Sequence, residues 1–249
     1  MRPDEPVEIL EEFQPPFPAQ LLEDLGLSGL HCGCGRRLKP GWLNVDMWVI
    51  EEAETASMSD RIARFGDDLY YLRHDVAAPF PVEDQSFDWI YSEHLIEHLG
   101  LQQAVTWLEE MRRLLKAGGG LRLSTPDLKR YVEGYVDPAG EFYAAHREHL
   151  SGLPKMMKAN RRRAEEDVIE GDLPERRAWM FNQIFRYWTH KWIYDFEEVR
   201  YVAVQAGFAA ESVIECSFGE GRSAEVASLD NPVRSDESLY VEVTRDGPG

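Results

Sequence analysis

Three short stretches carry the residue types that do chemistry. In LHCGCGRRLKPGWLNVD, residues 30–46, Gly33 and Gly35 stand one residue apart and a second apolar run ends in Asp46. Glycines let a backbone turn tightly and press against a ligand, and a carboxylate can hold a ribose diol. That order suits a nucleotide-like cofactor. Farther on, His74-Asp75-Val76 follows another apolar run, and Ser92-Glu93-His94 closes a third. His94-Leu95-Ile96-Glu97-His98 has the H-x-x-E-H spacing, which on a helix would put two imidazoles on one face. The peptide instead follows a predicted strand, and no third ligand stands at useful spacing, so no metal is expected. His94 and His98 are candidates for a general base, because an imidazole titrates near neutral pH. Glu97 can serve simply to fix the loop.

A nicotinamide-binding turn wants a third glycine three residues beyond the second, and Leu38 occupies that place. The acid also follows Gly35 by only 11 residues, where a dinucleotide site expects about 20. Either the first crossover helix is vestigial or the acid is Glu51 or Glu52.

These residues need a scaffold. Short apolar runs bounded by polar or glycine residues predict strands at Gly29–Cys32, Trp42–Asp46, Leu69–Arg73, Phe87–Tyr91, Gly120–Ser124, Glu211–Ser217 and Ser238–Thr244. A short helix is expected from Ala19 to Leu25. A second spans Leu101 to Lys116, with Val105, Leu108, Met111, Leu114 and Leu115 on one face and Gly118–Gly120 ending it. A third runs from Asp195, a plausible N-cap, to Ala206, with Gly207 beyond it. Strand–helix alternation predicts a doubly wound, mostly parallel α/β sheet in a single domain, 1–249, with residues 1–28 as an extended lead-in.

Residues 127–191 break the rhythm and read as a helical cap inserted after the fifth strand. Their charge blocks, KMMKANRRR and EEDVIEGDLPE, read first as solvated faces. An insertion at strand ends also sits where ligands bind. Phe181, Phe185, Trp188 and Trp192 keep helical spacing and read as a core stripe, leaving Tyr187, His190 and Tyr194 on the other face, where Tyr187 and His190 are candidate pocket residues.

Composition limits the partners. The 249 residues carry 45 acids against 27 bases, a net charge of −18, which repels phosphate backbones and disfavours nucleic acid. No run approaches the ~20 apolar residues that cross a bilayer, and the acidic, proline-broken start is no signal peptide. Cys32, Cys34 and Cys216 make no disulfide framework and fit a cytoplasmic protein. Nothing signals a coiled coil, and oligomeric state is left open.

Taken in order, GCG…PGW.NVD, D…PFP…SFD and EH..EH resemble the class I S-adenosylmethionine-dependent methyltransferases, over residues 29–125 and again at DFEEVRYVAVQAGF, 195–208. In the cap the resemblance rests on HKW.Y, His190 to Tyr194. It implies a seven-stranded Rossmann-like sheet with S-adenosylmethionine as cofactor. By position, Gly33 and Gly35 would face the methionine part and Asp46 the ribose. Asp75 would receive the adenine amino group, with Val76 beside the ring, and Ser92 and Glu93 would lie near the transferred methyl. Beside what the resemblance implies, His94, His98 and His190 are the candidate bases for a small-molecule acceptor, and Tyr187, His190 and Tyr194 either line its pocket or touch the sulfonium by cation–π contact. The alternative within this fold is transfer of the aminocarboxypropyl arm, or its closure to azetidine-2-carboxylate, with release of methylthioadenosine.

Overall fold

The computed structural model describes residues 7–10, 13–47, 61–152 and 176–247. In chain order these form β1 (Val7–Ile9), α1 (Ala19–Asp24), β2 (Gly29–Cys32), β3 (Trp42–Asp46), β4 (Ile62–Phe65), β5 (Leu69–Arg73), β6 (Phe87–Glu93), α2 (Leu101–Leu114), β7 (Leu115–Pro126), α3 (Leu128–Val136), α4 (Glu141–Gly152), α5 (Arg177–Arg186), α6 (Phe196–Gln205), β8 (Val213–Cys216) and β9 (Ser238–Thr244). The nine strands make one sheet in the order β1-β4-β5-β3-β2-β6-β7-β9-β8.

The sheet is mixed, with nine strands among the described residues rather than the seven expected. The five central strands, β5-β3-β2-β6-β7, run parallel. Both flanks are antiparallel: β4 and β1 beside β5, and β9 and β8 beside β7. The lead-in is thus partly structural, because Val7–Ile9 pairs with Ile62–Phe65 at the edge. Gly118–Gly120 do not end α2 either. The chain passes directly from Leu114 into β7, and the glycines lie within that strand.

Alternation of side chains separates the two sheet faces. One face carries the apolar core: Leu30, Cys32, Leu43, Val45, Ile90, Leu121 and Leu123 pack with Trp107, Leu108 and Met111 of α2 and Val199, Val202 and Ala203 of α6. The opposite face carries a polar row in direct cross-strand register, Tyr71–Asn44–His31–Tyr91–Arg122–Glu242, every member buried.

Asn44 explains how β2 and β3 run parallel with only a helix-free loop between them. Its Nδ2 lies 3.0 Å from the Lys39 carbonyl and 2.9 Å from those of Trp42 and Tyr70, and its Oδ1 accepts the Lys39 amide at 2.8 Å. One buried amide side chain fixes the loop that a crossover helix would otherwise organise. Beside it, burial and then the charge of Lys39 push the His31 imidazole down to about 3, against the opposing bond to Asn44. A histidine lowered in the folded state stabilises fully above its unfolded value of about 6.5 and loses that contribution as pH falls toward 3. Urea unfolding should therefore show about 2 kcal/mol less stability at pH 5 than at pH 7 from this group. His31→Leu should flatten that slope, and an unchanged slope would remove His31 as its source.

Candidate functional site

Strand order reverses between β2 and β6: the chain leaves β2 toward β3 on one side and later places β6 on the other. In open α/β sheets the crevice outside such strand ends binds ligands. Each cofactor residue expected from sequence falls there. Gly33 and Gly35 follow β2, Asp46 ends β3, Asp75 and Val76 follow β5, and Ser92 and Glu93 end β6. Register aligns these ends, since Cys32 pairs with both Val45 and Ser92, and Asp46 with Arg73.

The glycine turn is built from left-handed backbone, with φ +69° at Gly33 and +54° at Gly35. The Gly33 and Cys34 amides both donate to the Val45 carbonyl, at 2.9 and 3.2 Å. The Gly35 amide donates to Asp46 Oδ2 at 2.8 Å, which joins the turn to the acid that sequence spacing had paired with it. Glu51 and Glu52, the alternative acids, lie outside the described residues. Asp75 is exposed and accepts the Ala77 amide at 3.0 Å, while Val76 is buried. Ser92 is buried, and Glu93 is held by Arg37 and by the Tyr91 hydroxyl at 3.2 Å. Sequence reasoning did not find Arg37, Lys39 or Asn44 as supports of this crevice. The GRRLKPGW loop offered only its charge as a signal.

Beyond β6, His94–His98 is not a continuous helix. His94 has φ +49°, and a single 3-10 turn spans Ile96–His98. His94 Nε2 lies 2.8 Å from Ser238 Oγ, and its Nδ1 lies 3.1 Å from both Arg234 Nη1 and Glu97 Oε1. Glu97 is fully buried, with Oε2 accepting from the Thr125 hydroxyl at 3.2 Å. Burial alone would raise its carboxyl, but the contact with His94 and the charges that His94, His190 and His98 acquire in acid bring it down to about 2. The Glu97 carbonyl also accepts the Lys191 and Trp192 amides, at 2.7 and 3.2 Å. That clamp brings His190 against His98, ring centroids 5.0 Å apart and edge to face. Burial lowers both rings, His190 to about 4.

A small core of Tyr131, Tyr143, Leu150, Met180, Ile184 and Ile193 joins α3, α4 and α5. A polar network ties it to the chain before β9. The Tyr131 hydroxyl donates to Glu237 Oε2 at 2.6 Å and lies 2.9 Å from His146 Nε2, and His146 Nδ1 meets Asp236 at 2.7 Å.

The aromatic stripe is not a core stripe. α5 ends at Arg186, and Trp188 and Thr189 take φ +65° and +64°, so helical spacing is lost. Phe185 and Trp192 are 40% and 41% exposed; Met180, Gln183 and Ile184 are buried instead. Tyr194, placed by spacing with Tyr187 and His190, is fully buried. Neither the Tyr187 side chain nor the charge blocks KMMKANRRR and EEDVIEGDLPE belong to the described parts of the structure.

Residues 30–123 match a family model described as a methyltransferase domain. No curated protein matches the chain. Among solved structures it is similar to the CurJ carbon methyltransferase, with 13% identity over 89% of this chain and 49% of that one, TM-score 0.45. It is also similar to a SAM-dependent methyltransferase from Archaeoglobus fulgidus, with 14% identity, 91% and 92% coverage and TM-score 0.42. A SAM-dependent methyltransferase from Thermotoga maritima, described as a possible histamine N-methyltransferase, gives 17%, 92% and 87%, TM-score 0.45. The chain thus spans about half the length of the first of these.

Proposed function

We propose, from the match of residues 30–123 to a methyltransferase-domain model, that the protein is a class I S-adenosylmethionine-dependent enzyme that transfers a methyl group from this cofactor to a small-molecule acceptor. When bound, S-adenosylmethionine supplies a methyl carbon already activated by its sulfonium. The chain's own residues then have to align an acceptor, exclude water and accommodate a proton.

The observation that carries this reading is the gathering of the glycine turn, Asp46, Asp75, Ser92 and Glu93 at one end of the parallel strands, with Gly35 bonded to Asp46. A Cβ on Gly35 would meet nothing within 4 Å, whereas one on Gly33 would press on Leu95 at 3.1 Å. In this reading Gly33 and Gly35 admit the methionine part, and Asp46 accepts from the ribose hydroxyls. Asp75 takes the adenine amino group, Val76 packs on the ring, and Ser92 and Glu93 border the methionyl group.

In this reading residues 127–191 are the acceptor cap, with Tyr187 and His190 as its candidate acceptor contacts. His94 is committed to Arg234 and Ser238 and His190 Nδ1 to the Ile184 carbonyl, so in this reading the acceptor-side groups are the His98 ring and His190 Nε2. The acidic surface favours a small acceptor over a nucleic acid.

Incubation with methyl-labelled S-adenosylmethionine and the small-molecule filtrate of a cell extract should yield S-adenosylhomocysteine and a labelled small product by mass spectrometry. Methylthioadenosine as the nucleoside product would replace methyl transfer with the aminocarboxypropyl chemistry. Label recovered only in macromolecules would overturn the small-acceptor reading.

A further inference from the structure

Glu97 and His98, on the turn after β6, and His190, at the return of the cap, bring one carboxylate oxygen and two imidazole nitrogens within 4.8 Å of one another. Two of these side chains also carry a buried polar atom that lacks a hydrogen-bond partner: His190 Nε2 and Glu97 Oε1.

The bonds around them fix why. His190 Nδ1 donates to the Ile184 carbonyl at 2.5 Å, so Nε2 carries the lone pair. A backbone carbonyl on one ring nitrogen is the usual way a protein orients a histidine whose other nitrogen binds a metal. For Glu97, the neighbour of Oε1 is His94 Nδ1 at 3.1 Å, and a chain of bonds sets the His94 tautomer. Ser238 donates its hydroxyl proton to the Arg234 carbonyl at 2.7 Å, so its oxygen must accept from His94 Nε2–H at 2.8 Å. Arg234 Nη1 in turn donates to His94 Nδ1 at 3.1 Å. As a neutral imidazole, His94 therefore has no Nδ1 proton to give Glu97. A buried carboxylate oxygen without a donor is costly, and an imidazole lone pair beside it adds repulsion. A cation held by Glu97 and His190 would give both orphaned atoms a partner.

We propose that Glu97, His98 and His190 bind a divalent first-row transition cation of the zinc class, leaving coordination positions open for water or an oxygen of the acceptor. Two imidazoles and a carboxylate are a zinc-type donor set with an open site. Bonds of about 2.0–2.2 Å place tetrahedral ligand atoms about 3.4 Å apart, so the side chains close by about 1 Å on binding. The H-x-x-E-H spacing pointed at His94 with His98. The site uses Glu97 instead of His94, and its third ligand comes from 92 residues farther along the chain, at His190.

The test reads metal directly and does not depend on turnover, so it stands apart from the methyl-transfer reading. The full chain, stripped by chelator and dialysed against zinc, should retain about one equivalent by elemental mass spectrometry, with a raised Tm. Cobalt should give visible absorption bands of a low-coordinate site. His190→Ala and His98→Ala should each weaken zinc binding by at least about tenfold with unchanged circular dichroism, and Glu97→Gln should do the same if it folds. Wild-type protein holding no zinc after dialysis would overturn the proposal. So would equal zinc retention in both histidine variants, which would place the ion elsewhere.

Discussion

Arg122→Leu should destabilise the protein by about 4 kcal/mol and lower Tm by roughly 10 °C. Arg122 is fully buried in β7, and each of its five N–H groups has an acceptor. Nε and Nη2 hold Asp230 at 2.8 and 2.5 Å, and Nη1 holds Glu242 at 2.9 Å. The two remaining protons go to the Glu220 and Ser217 carbonyls, at 3.0 and 3.2 Å. Both carboxylates are buried as well and accept backbone amides, Asp230 from Gly219 and Glu242 from Arg222. Removing the guanidinium leaves two carboxylates facing each other without a counter-charge, the costly way to break a buried ion pair.

The effect should reach the crevice. The segment that Arg122 anchors ends at Leu229 and Asp230, and the Leu229 carbonyl accepts the Tyr91 hydroxyl at 3.1 Å and lies 3.4 Å from Lys39 Nζ, beside the glycine turn. Chemical denaturation of Arg122→Leu, and of Arg122→Met combined with Asp230→Asn and Glu242→Gln, checks this. The triple variant should recover part of the loss because it removes the unpaired charges. A loss below about 1 kcal/mol in the single variant would mean that water or rearranged side chains reach the cluster.

Arg122 also marks where sequence reading stops. LRLST reads correctly as a strand, but a lone arginine in a strand names no partners, and its partners lie 108 and 120 residues away. Strands dominated by a short apolar run were legible: β2, β3, β5 and β9 fall where the runs predict. β1 and β4 were not. They form an antiparallel edge whose exposed Glu8 pairs with Arg64, so neither shows an uninterrupted apolar run. The N-cap at Asp195 was legible, since its side chain accepts the Glu198 amide within three residues. The aromatic stripe misled because periodicity presumes a continuous helix, and the left-handed Trp188 and Thr189 end it. Likewise, spacing alone could pair His94 with His98, but only the clamp of Lys191 and Trp192 onto Glu97 brings His190 to them.

Asp46→Ala should lower affinity for S-adenosylmethionine by about 10²–10⁴-fold while changing Tm little. Asp46 ends β3 at the half-exposed rim, so its removal opens no core cavity. It would lose two charge-assisted bonds to the ribose hydroxyls, each about 1.5–3 kcal/mol, which corresponds to that range. It would also release the Gly35 amide, held at 2.8 Å, and loosen a turn whose left-handed glycines need that anchor. Asp46→Asn separates the two contributions. An amide oxygen still accepts from Gly35, so the turn should persist and the loss should be smaller, mainly that of the charge. Calorimetry on both variants, with Glu51→Ala and Glu52→Ala as controls, decides the assignment. If either glutamate variant loses the cofactor while Asp46→Ala keeps it, the ribose acid lies beyond the end of β3, and the Gly35–Asp46 bond is only a brace for the turn.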